Sequence, residues 1–206
     1  MSLVEKYFTT LTSEQKEQFA ALPSIYADWN AKINVVSRKD IEHIEERHIL
    51  HSLAIAKYTR FSEGTKIIDV GTGGGFPGIP LAIMFPYINF LLIDSIGKKI
   101  KVVDGVAQQL GLHNVRALQS RSEQVKEKFD FIVSRAVTAF PDFVKMTRHL
   151  VSEHNNNACA NGILYLKGGD FDSEIAPFGN SAIVCQLSNY FEEEFFETKK
   201  LIHLSL

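Results

Sequence analysis

The sequence contains little cysteine. Only Cys159 and Cys185 occur among the 206 residues, and neither lies in a Cys-x-x-Cys or Cys/His cluster. Disulfide scaffolds and zinc sites need several such residues at short, regular spacings. We therefore expect neither a disulfide framework nor a bound metal.

The sequence also lacks a long hydrophobic run. No stretch reaches roughly 18 consecutive apolar residues, the shortest length that suggests a membrane-spanning helix. Residues 1–10 show no basic start followed by an apolar segment, which a secretory signal would require. We therefore expect a cytoplasmic protein without a membrane partner.

Positive charge is not in excess either. The chain has 22 Lys and Arg against 24 Asp and Glu, a formal net charge of −2, whereas nucleic-acid-binding domains are usually basic. Acidic residues are concentrated at 192–197, and residues 1–189 are neutral overall. Any RNA-binding surface must then be a local patch.

What the chain does have is enough apolar sequence for a core, because 45% of its residues are hydrophobic. Apolar residues recur at helical spacing over 13–31 and 38–60, and Pro23 is expected to split or kink the first helix. From Lys66 onward, short apolar runs alternate with amphipathic stretches, the pattern of βαβ units. We predict a helical cap over 1–63 and one α/β domain over 64–206.

The short apolar runs predict a doubly wound, mostly parallel sheet of seven strands. The five parallel strands are predicted over 66–70, 90–94, 115–118, 131–134 and 163–167, and a closing antiparallel pair over 182–187 and 201–206. A helix over 96–110 is predicted to bury one apolar stripe against the sheet. Its members are Ile96, Ile100, Val103, Ala107 and Leu110.

A glycine-rich turn follows the first predicted strand, where residues 67–78 read IIDVGTGGGFPG. Glycine lets the backbone approach a ligand at the start of the next helix. The spacing matches the first motif of class I S-adenosylmethionine-dependent methyltransferases, with Rossmann-like folds. From it we expect cofactor contacts at Asp69, Gly71, Thr72, Gly73 and Gly75.

A dinucleotide site is the main alternative for this turn, because residues 73–78 also satisfy the dinucleotide-binding fingerprint Gly-x-Gly-x-x-Gly. If Gly71 is the first glycine, as the strand end suggests, Phe76 occupies the third position and that fingerprint fails. A purely structural turn is the other alternative. We favour the methyltransferase interpretation.

Two further strand ends carry candidate cofactor ligands. Asp94 follows Gly71 at about the 20-residue distance from which a carboxylate reaches a ribose diol, although it can also simply cap the next helix. Ser122 and Glu123 follow the third strand, where adenine would lie. Their alternative role is a capping serine and a solvated glutamate.

Arg135 ends the fourth predicted strand, at the edge where the acceptor or cofactor would bind. Its guanidinium has donors only, so it suits guanine O6 and N7, a phosphate, or the carboxylate of the methionine moiety. A surface salt bridge is the alternative. The chain has neither an Asn/Asp-Pro-Pro-Tyr motif at this strand end nor the nucleophilic cysteine of cytosine-C5 enzymes.

With these motifs in place, the chain resembles the bacterial 16S rRNA guanine-N7 methyltransferases, the RsmG or glucose-inhibited division B (GidB) family. The matching segments are 29–35, 47–53, 69–80, 92–95, 119–121, 134–136 and 166–168. The family often has Asp where this chain has His51, and the C-terminal hairpin matches poorly.

The resemblance implies methyl transfer from S-adenosylmethionine to N7 of a guanine, nominally guanine 527 in the decoding-region loop of 16S rRNA. The family's cofactor-contact positions correspond to Gly71, Phe76, Ser122, Glu123 and Arg135. Guanine N7 has an in-plane lone pair and no proton, so no general base is expected and Arg135 would act by positioning. Phe76 can contact the cofactor or fasten the turn to the cap.

The expected partner is 16S rRNA or an assembly intermediate of the small subunit, bound by a monomer. Candidate RNA contacts are Arg38, Lys39, Arg47, His48 and Lys167. The cap charges can equally form a solvated helix face, and His48 can be an interior histidine. Two other functions stay open: a noncatalytic RNA-binding or ribosome-assembly factor, and a small-molecule methyltransferase.

Overall fold

The computed structural model describes residues 2–135 and 137–206, and it describes Arg38 without its side chain. Its centre is one seven-stranded sheet in the order β3-β2-β1-β4-β5-β7-β6. The strands are β1 (Lys66–Val70), β2 (Asn89–Asp94), β3 (Val115–Gln119), β4 (Phe131–Arg135), β5 (Gly162–Gly168), β6 (Ala182–Gln186) and β7 (Lys199–Ser205).

The first five strands run parallel, and β7 lies antiparallel between β5 and β6. In the register of the central strands, Ile67 of β1 lies between Phe90 of β2 and Phe131 of β4. This arrangement confirms the predicted doubly wound, mostly parallel fold and its closing antiparallel pair. The strand order reverses between β1 and β4, where such sheets open a ligand crevice at the carboxyl ends of the strands.

Eight α-helices surround the sheet in the described part of the chain. They are α1 (Leu3–Tyr7), α2 (Ser13–Asn30), α3 (Arg38–Ile41), α4 (His51–Tyr58), α5 (Gly78–Met84), α6 (Gly97–Gln109), α7 (Phe140–Thr147) and α8 (Asp172–Ile175). A π-helical turn spans Glu45–Leu50, and 3₁₀ turns span Ser122–Gln124, Arg148–Leu150, Ala176–Ser181, Leu187–Asn189 and Glu194–Phe196.

The cap helices differ from their predicted form in two ways. Helix α2 continues through Pro23, so the predicted split is wrong; the fully buried neighbours Leu22 and Tyr26 hold this part of the helix on the core. The single helix predicted over 38–60 is also wrong, because α3 ends at Ile41 and a π-helical turn precedes α4. Residues 49–55 are all buried, so this segment lacks the polar face of a surface helix.

Apolar side chains cover both faces of the sheet, because alternate residues of each strand point to opposite sides. Ile67 belongs to the apolar cluster that contains Leu22 and Leu53 of the cap, whereas Ile68 belongs to the cluster that contains Phe143 of α7. The cap therefore shares a core with one face of the sheet. The boundary near residue 63 stays a prediction.

Candidate functional site

The glycine turn after β1 is fixed to the neighbouring strand. The backbone N–H groups of Gly71 and Thr72 both donate to the carbonyl of Ile93 in β2, each at 2.9 Å. Gly71 has a φ of +72°, which side-chain-bearing residues rarely adopt, and a Cβ there would lie 2.6 Å from Cγ2 of Val137. The φ and this close contact with Val137 therefore require glycine, and the approach of a ligand to this backbone stays a prediction.

Asp69 supports the turn from inside the protein. Its Oδ2 accepts hydrogen bonds from the Thr72 hydroxyl at 2.6 Å and from the Gly78 N–H at 2.8 Å, while Oδ1 is buried and has no partner in the described part of the chain. Burial raises the pKa of Asp69 to about 7, against the opposing effect of these two hydrogen bonds. Asp69 and Thr72, both proposed from the sequence as cofactor contacts, thus hold the turn in place.

Asp94 lies at the end of β2 with its carboxylate against the same turn. Its Oδ2 accepts from the Gly73 N–H at 3.0 Å and its Oδ1 from the Ile96 N–H at 2.9 Å, and Lys99 Nζ is 3.7 Å from Oδ2. Each carboxylate oxygen can accept a further hydrogen bond, so both can still accept from a ribose diol. The cap-like bond to Ile96 and a role as ligand are therefore compatible.

A cavity of about 520 Å³ opens beside Gly71 and Asp94, and we call it the cofactor pocket. It is lined by Val70, Gly71, Ile93, Asp94, Ser95, Ile96, Lys99, Ser120, Arg121, Ser122, Glu123, Arg135, Val137 and Met146. This volume lies within the range of about 300–1,000 Å³ that small-molecule sites occupy. The size, the glycine backbone and the free acceptors of Asp94 fit an adenosyl cofactor.

The structure brings together half of the cofactor residues that the sequence proposed. Five of them line the cofactor pocket, namely Gly71, Asp94, Ser122, Glu123 and Arg135. The other five do not line it, namely Asp69, Thr72, Gly73, Gly75 and Phe76. Phe76 is buried between cap residues, with its ring 4.7 Å from that of Tyr26 and 5.0 Å from that of His48. Phe76 therefore fastens the turn to the cap.

Two exposed apolar residues of the cofactor pocket were missed by sequence reasoning. Ile96 and Val137 are 49% and 42% exposed, and both line the pocket. Assigning Ile96 to the buried stripe of α6 was wrong, because this residue precedes the helix and lies at the sheet edge. Exposed apolar side chains inside a pocket suit the flat face of a base. Their positions directly after strand ends were the available signal.

Ser122 and Glu123 occupy a 3₁₀ turn at the rim of the cofactor pocket. Ser122 is buried, and its hydroxyl donates to Glu123 Oε2 at 3.2 Å. The backbone N–H of Glu123, helped by the Ser122 hydroxyl, lowers the pKa of the exposed Glu123 carboxyl. This carboxylate is thus an ionised acceptor at neutral pH, suited to an amino group such as that of adenine.

Arg135 is held by the cap at the back of the cofactor pocket. Its Nη1 donates to the Arg47 carbonyl at 3.2 Å, its Nη2 donates to His48 Nδ1 at 2.7 Å, and its guanidinium lies 5.3 Å from the Phe76 ring centre. Burial lowers the pKa of Arg135 to about 10, so it stays charged at neutral pH. Burial, together with the Arg135 charge, lowers the pKa of His48 to about 3, which keeps its imidazole neutral as the acceptor.

A second cavity of about 450 Å³ lies on the other side of Arg135, and we call it the basic pocket. It is lined by Asp40, Arg47, His48, His51, Arg135, Leu166, Lys167, Gly168, Phe195 and Lys199. Arg47 pairs with Asp40 at 2.9 Å, and Lys167 pairs with Glu174. Because Arg135 lines both cavities, it forms the wall between them.

The basic pocket gathers three of the five RNA contacts proposed from the sequence, Arg47, His48 and Lys167. Lys39 is exposed and lines neither pocket, and the Arg38 side chain lies outside the described part of the structure. His51, Phe195 and Lys199 were missed. Two of them belong to the C-terminal segment that resembles the family least, and that is why they gave no signal.

Within residues 2–135 and 137–206, no three His, Cys, Asp or Glu side chains lie together in a way that would hold a metal ion. In the same residues, no helix has both the length and the apolarity needed to cross a bilayer. Both observations concern the described residues alone.

Comparison with known proteins decides the family. The model of the GidB family, described as rRNA small subunit methyltransferase G, matches residues 15–202. The chain belongs to this family. The family prediction is therefore confirmed, and among relatives the chain is similar to two proteins named ribosomal RNA small subunit methyltransferase G. That of Flavobacterium johnsoniae is 56% identical over all of this chain and 98% of its own length, and that of Bacteroides thetaiotaomicron is 54% identical over 98% of each.

Solved structures agree with the fold. Coclaurine N-methyltransferase, crystallised with N-methylheliamine and SAH, gives a TM-score of 0.55 at 10% identity, covering 88% of this chain and 69% of that one. A SAM-dependent methyltransferase from Aquifex aeolicus gives a TM-score of 0.53 at 16% identity, and the match covers 81% of this chain and 97% of that one. At these identities the likeness concerns the Rossmann-like methyltransferase fold, and the predicted fold class is confirmed.

Proposed function

We propose that this protein transfers the methyl group of S-adenosylmethionine to N7 of a guanine in 16S rRNA. Membership of its family makes the chain an S-adenosylmethionine-dependent rRNA methyltransferase. The atom, the nucleotide and the mechanism are our proposal. The observation that carries it is Arg135, a charged donor that forms the wall between the cofactor pocket and a second, basic pocket.

In the cofactor pocket, each part of the adenosyl group has a matching feature. Asp94 would accept from the ribose hydroxyls, and Glu123 would accept from the adenine amino group. Ile96 and Val137 would cover the base, and the bare backbone at Gly71 would leave room for the sulfonium end. When bound, this cofactor supplies an electrophilic methyl group, so the protein's task is binding and orientation.

Arg135 is placed to orient the acceptor. A guanidinium donates to guanine O6 without offering an acceptor, and N7 then remains free to attack as a nucleophile. The chemistry needs no proton removal, so rate enhancement would come from proximity and alignment. His48 supports this role, because its neutral imidazole holds Arg135 in position through Nδ1.

A reaction without a general base has a simple pH signature. With cofactor and RNA saturating, we expect the single-turnover methyl-transfer rate to stay nearly flat between about pH 6.5 and 8.5. Rapid-quench measurements over this range would test it. A rate that rises steeply through one ionisation near neutrality would instead require a catalytic base.

The proposed function is tested by incubating the chain with labelled S-adenosylmethionine and small-subunit RNA from cells that lack the protein. We expect one 7-methylguanosine, at the nominal guanine 527, detected by nuclease mapping and mass spectrometry. Both the free 16S RNA and the assembled subunit should be offered. If neither the free RNA nor the assembled subunit is methylated, a noncatalytic assembly factor is favoured. Turnover of a small molecule without RNA would favour a small-molecule methyltransferase.

A further inference from the structure

The basic pocket contains two buried nitrogen atoms that find no partner in the part of the chain that the structure describes. Arg47 Nε and His51 Nε2 are both buried, and neither has a hydrogen-bond partner among the described residues. His51 is only 5% exposed, and its ring lines the pocket. Native proteins pair nearly all of their buried polar atoms, so two unpaired nitrogens in one cavity indicate that a ligand completes the site.

The charges around the basic pocket indicate an anion. Asp40 and Glu174 neutralise Arg47 and Lys167 respectively. Within the described part of the chain, Arg135 and Lys199 form no ion pair; Lys199 Nζ donates to the Thr198 hydroxyl at 3.1 Å. The pocket therefore carries two uncompensated positive charges beside the two unpaired nitrogens.

The wall that presents these groups is well packed. The Phe195 ring centre lies 5.5 Å from that of His51, 5.9 Å from the Arg47 guanidinium carbon and 4.5 Å from Lys199 Nζ. One aromatic side chain thus contacts all three groups that would bind the ligand. It positions donors from the cap and from β7 toward one cavity.

We propose that the basic pocket binds one phosphate group of the RNA strand, beside the guanine presented to the cofactor pocket. The binding groups are Arg47 Nε–H and the Lys199 ammonium, together with His51, which donates from Nε2 in its Nε2–H tautomer. A phosphate has acceptor oxygens only, which matches this set of donors, whereas the N–H edge of a guanine would need acceptors. The one carboxylate in the lining, Asp40, is occupied by Arg47 and Ser37. This inference rests on the proposed function for the identity of the strand.

Nuclear magnetic resonance of the full chain labelled with ¹⁵N-histidine tests the pocket without any methylation. The His51 signals are assigned by their loss in His51→Gln, and the protein is titrated with guanosine 5′-monophosphate and, separately, with guanosine. We expect His51 to shift with the monophosphate and not with the nucleoside. Equal shifts would indicate a base-binding pocket, and no shift with either would also overturn the proposal.

Salt dependence tests the same pocket with RNA. A short RNA fragment containing the target loop is bound to wild type, to Lys199→Gln and to the matched control Lys126→Gln, an exposed lysine that lines neither pocket. Loss of one phosphate contact should lower the slope of log affinity against log salt concentration by about 0.7. We expect this change, and a raised KM with unchanged kcat, in Lys199→Gln alone. An unchanged slope would overturn the proposal.

The outcomes separate this inference from the proposed function. If wild type methylates the RNA but His51 ignores the monophosphate and the Lys199→Gln slope is unchanged, the phosphate site is wrong and the methyltransferase activity stands. If His51 responds to the monophosphate but no RNA is methylated, the phosphate site stands and the proposed reaction is wrong.

Discussion

The two pockets that meet at Arg135 are built differently. The cofactor pocket uses backbone and carboxylates: the bare turn at Gly71, the Asp94 side chain and the supporting Asp69. The basic pocket uses cationic side chains, with Arg47 from the cap and Lys199 from β7. One pocket thus suits hydroxyl and amino groups that donate hydrogen bonds, and the other suits an anion that accepts them.

This difference separates two tasks. In our proposal, the donor groups of a nucleoside cofactor would be bound where the parallel strands end, in a place set by the fold itself. The polyanionic substrate would be bound by side chains of the cap and of β7. Substitutions in one pocket should therefore leave the affinity of the other pocket for its ligand almost unchanged.

The largest expected effect concerns the stability of the turn beneath the cofactor pocket. The pKa of Asp69 is raised to about 7 by burial, above the unfolded value of 3.8. The folded state therefore binds the proton more tightly, so its stabilisation is complete below about pH 4 and is lost as pH rises toward 7, by at most about 1.4 kcal/mol per pH unit. Urea unfolding from pH 4 to 8 should show this slope in wild type and lack it in Asp69→Asn. Equal slopes in wild type and Asp69→Asn would contradict the raised pKa of Asp69.

The next effect is on cofactor affinity. Asp94→Asn replaces one acceptor oxygen by a donor, and two charge-assisted hydrogen bonds to a ribose are together worth about 3 kcal/mol, or roughly 100-fold. We expect this loss in S-adenosylhomocysteine binding, measured by calorimetry, with the affinity for guanosine 5′-monophosphate unchanged. The control Asp104→Asn, on the exposed face of α6, should bind as wild type does. If Asp94→Asn bound S-adenosylhomocysteine as tightly as wild type, Asp94 would not be the ligand of the ribose hydroxyls.

The smallest expected effect comes from replacing glycines at left-handed φ, and it distinguishes backbone strain from loss of cofactor contact. Gly71→Ala and Gly111→Ala both place alanine at a left-handed φ, +72° and +66°, so each should lose about 1–2 kcal/mol of stability. Only at Gly71 does the new Cβ meet another side chain, that of Val137, inside the cofactor pocket. We expect Gly71→Ala to bind the cofactor about tenfold more weakly than wild type, and Gly111→Ala to bind it with unchanged affinity. Parallel losses would mean that destabilisation alone explains the effect.

The same contrast explains how far the sequence could predict the site. Gly71, Asp94, Ser122 and Arg135 each lie at the end of a strand or shortly after it. Parallel strands bring their carboxyl ends to one edge, so position along the chain predicted position in space. Short apolar runs predicted all seven strands because the central strands are buried, and even β3 and β6, the partly exposed strands at the two sheet edges, contain short apolar runs. The fold and the framework of the cofactor pocket were therefore accessible from sequence.

The basic pocket could be predicted from the sequence only in part. His51 faces it because a π-helical turn interrupts the segment predicted as one helix, and no propensity rule indicates such a turn. Phe195 and Lys199 reach it only because β7 inserts between β5 and β6 and brings the preceding loop over the sheet edge. These contacts depend on tertiary packing between distant segments, which local periodicity does not encode.

Calorimetric titration of the full chain with S-adenosylhomocysteine, in wild type, Asp94→Asn and Lys199→Gln, tests the central claim most directly. The account predicts one site that is greatly weakened by Asp94→Asn and unchanged by Lys199→Gln. Absence of heat with wild type, together with tight binding of a nicotinamide coenzyme, would contradict it.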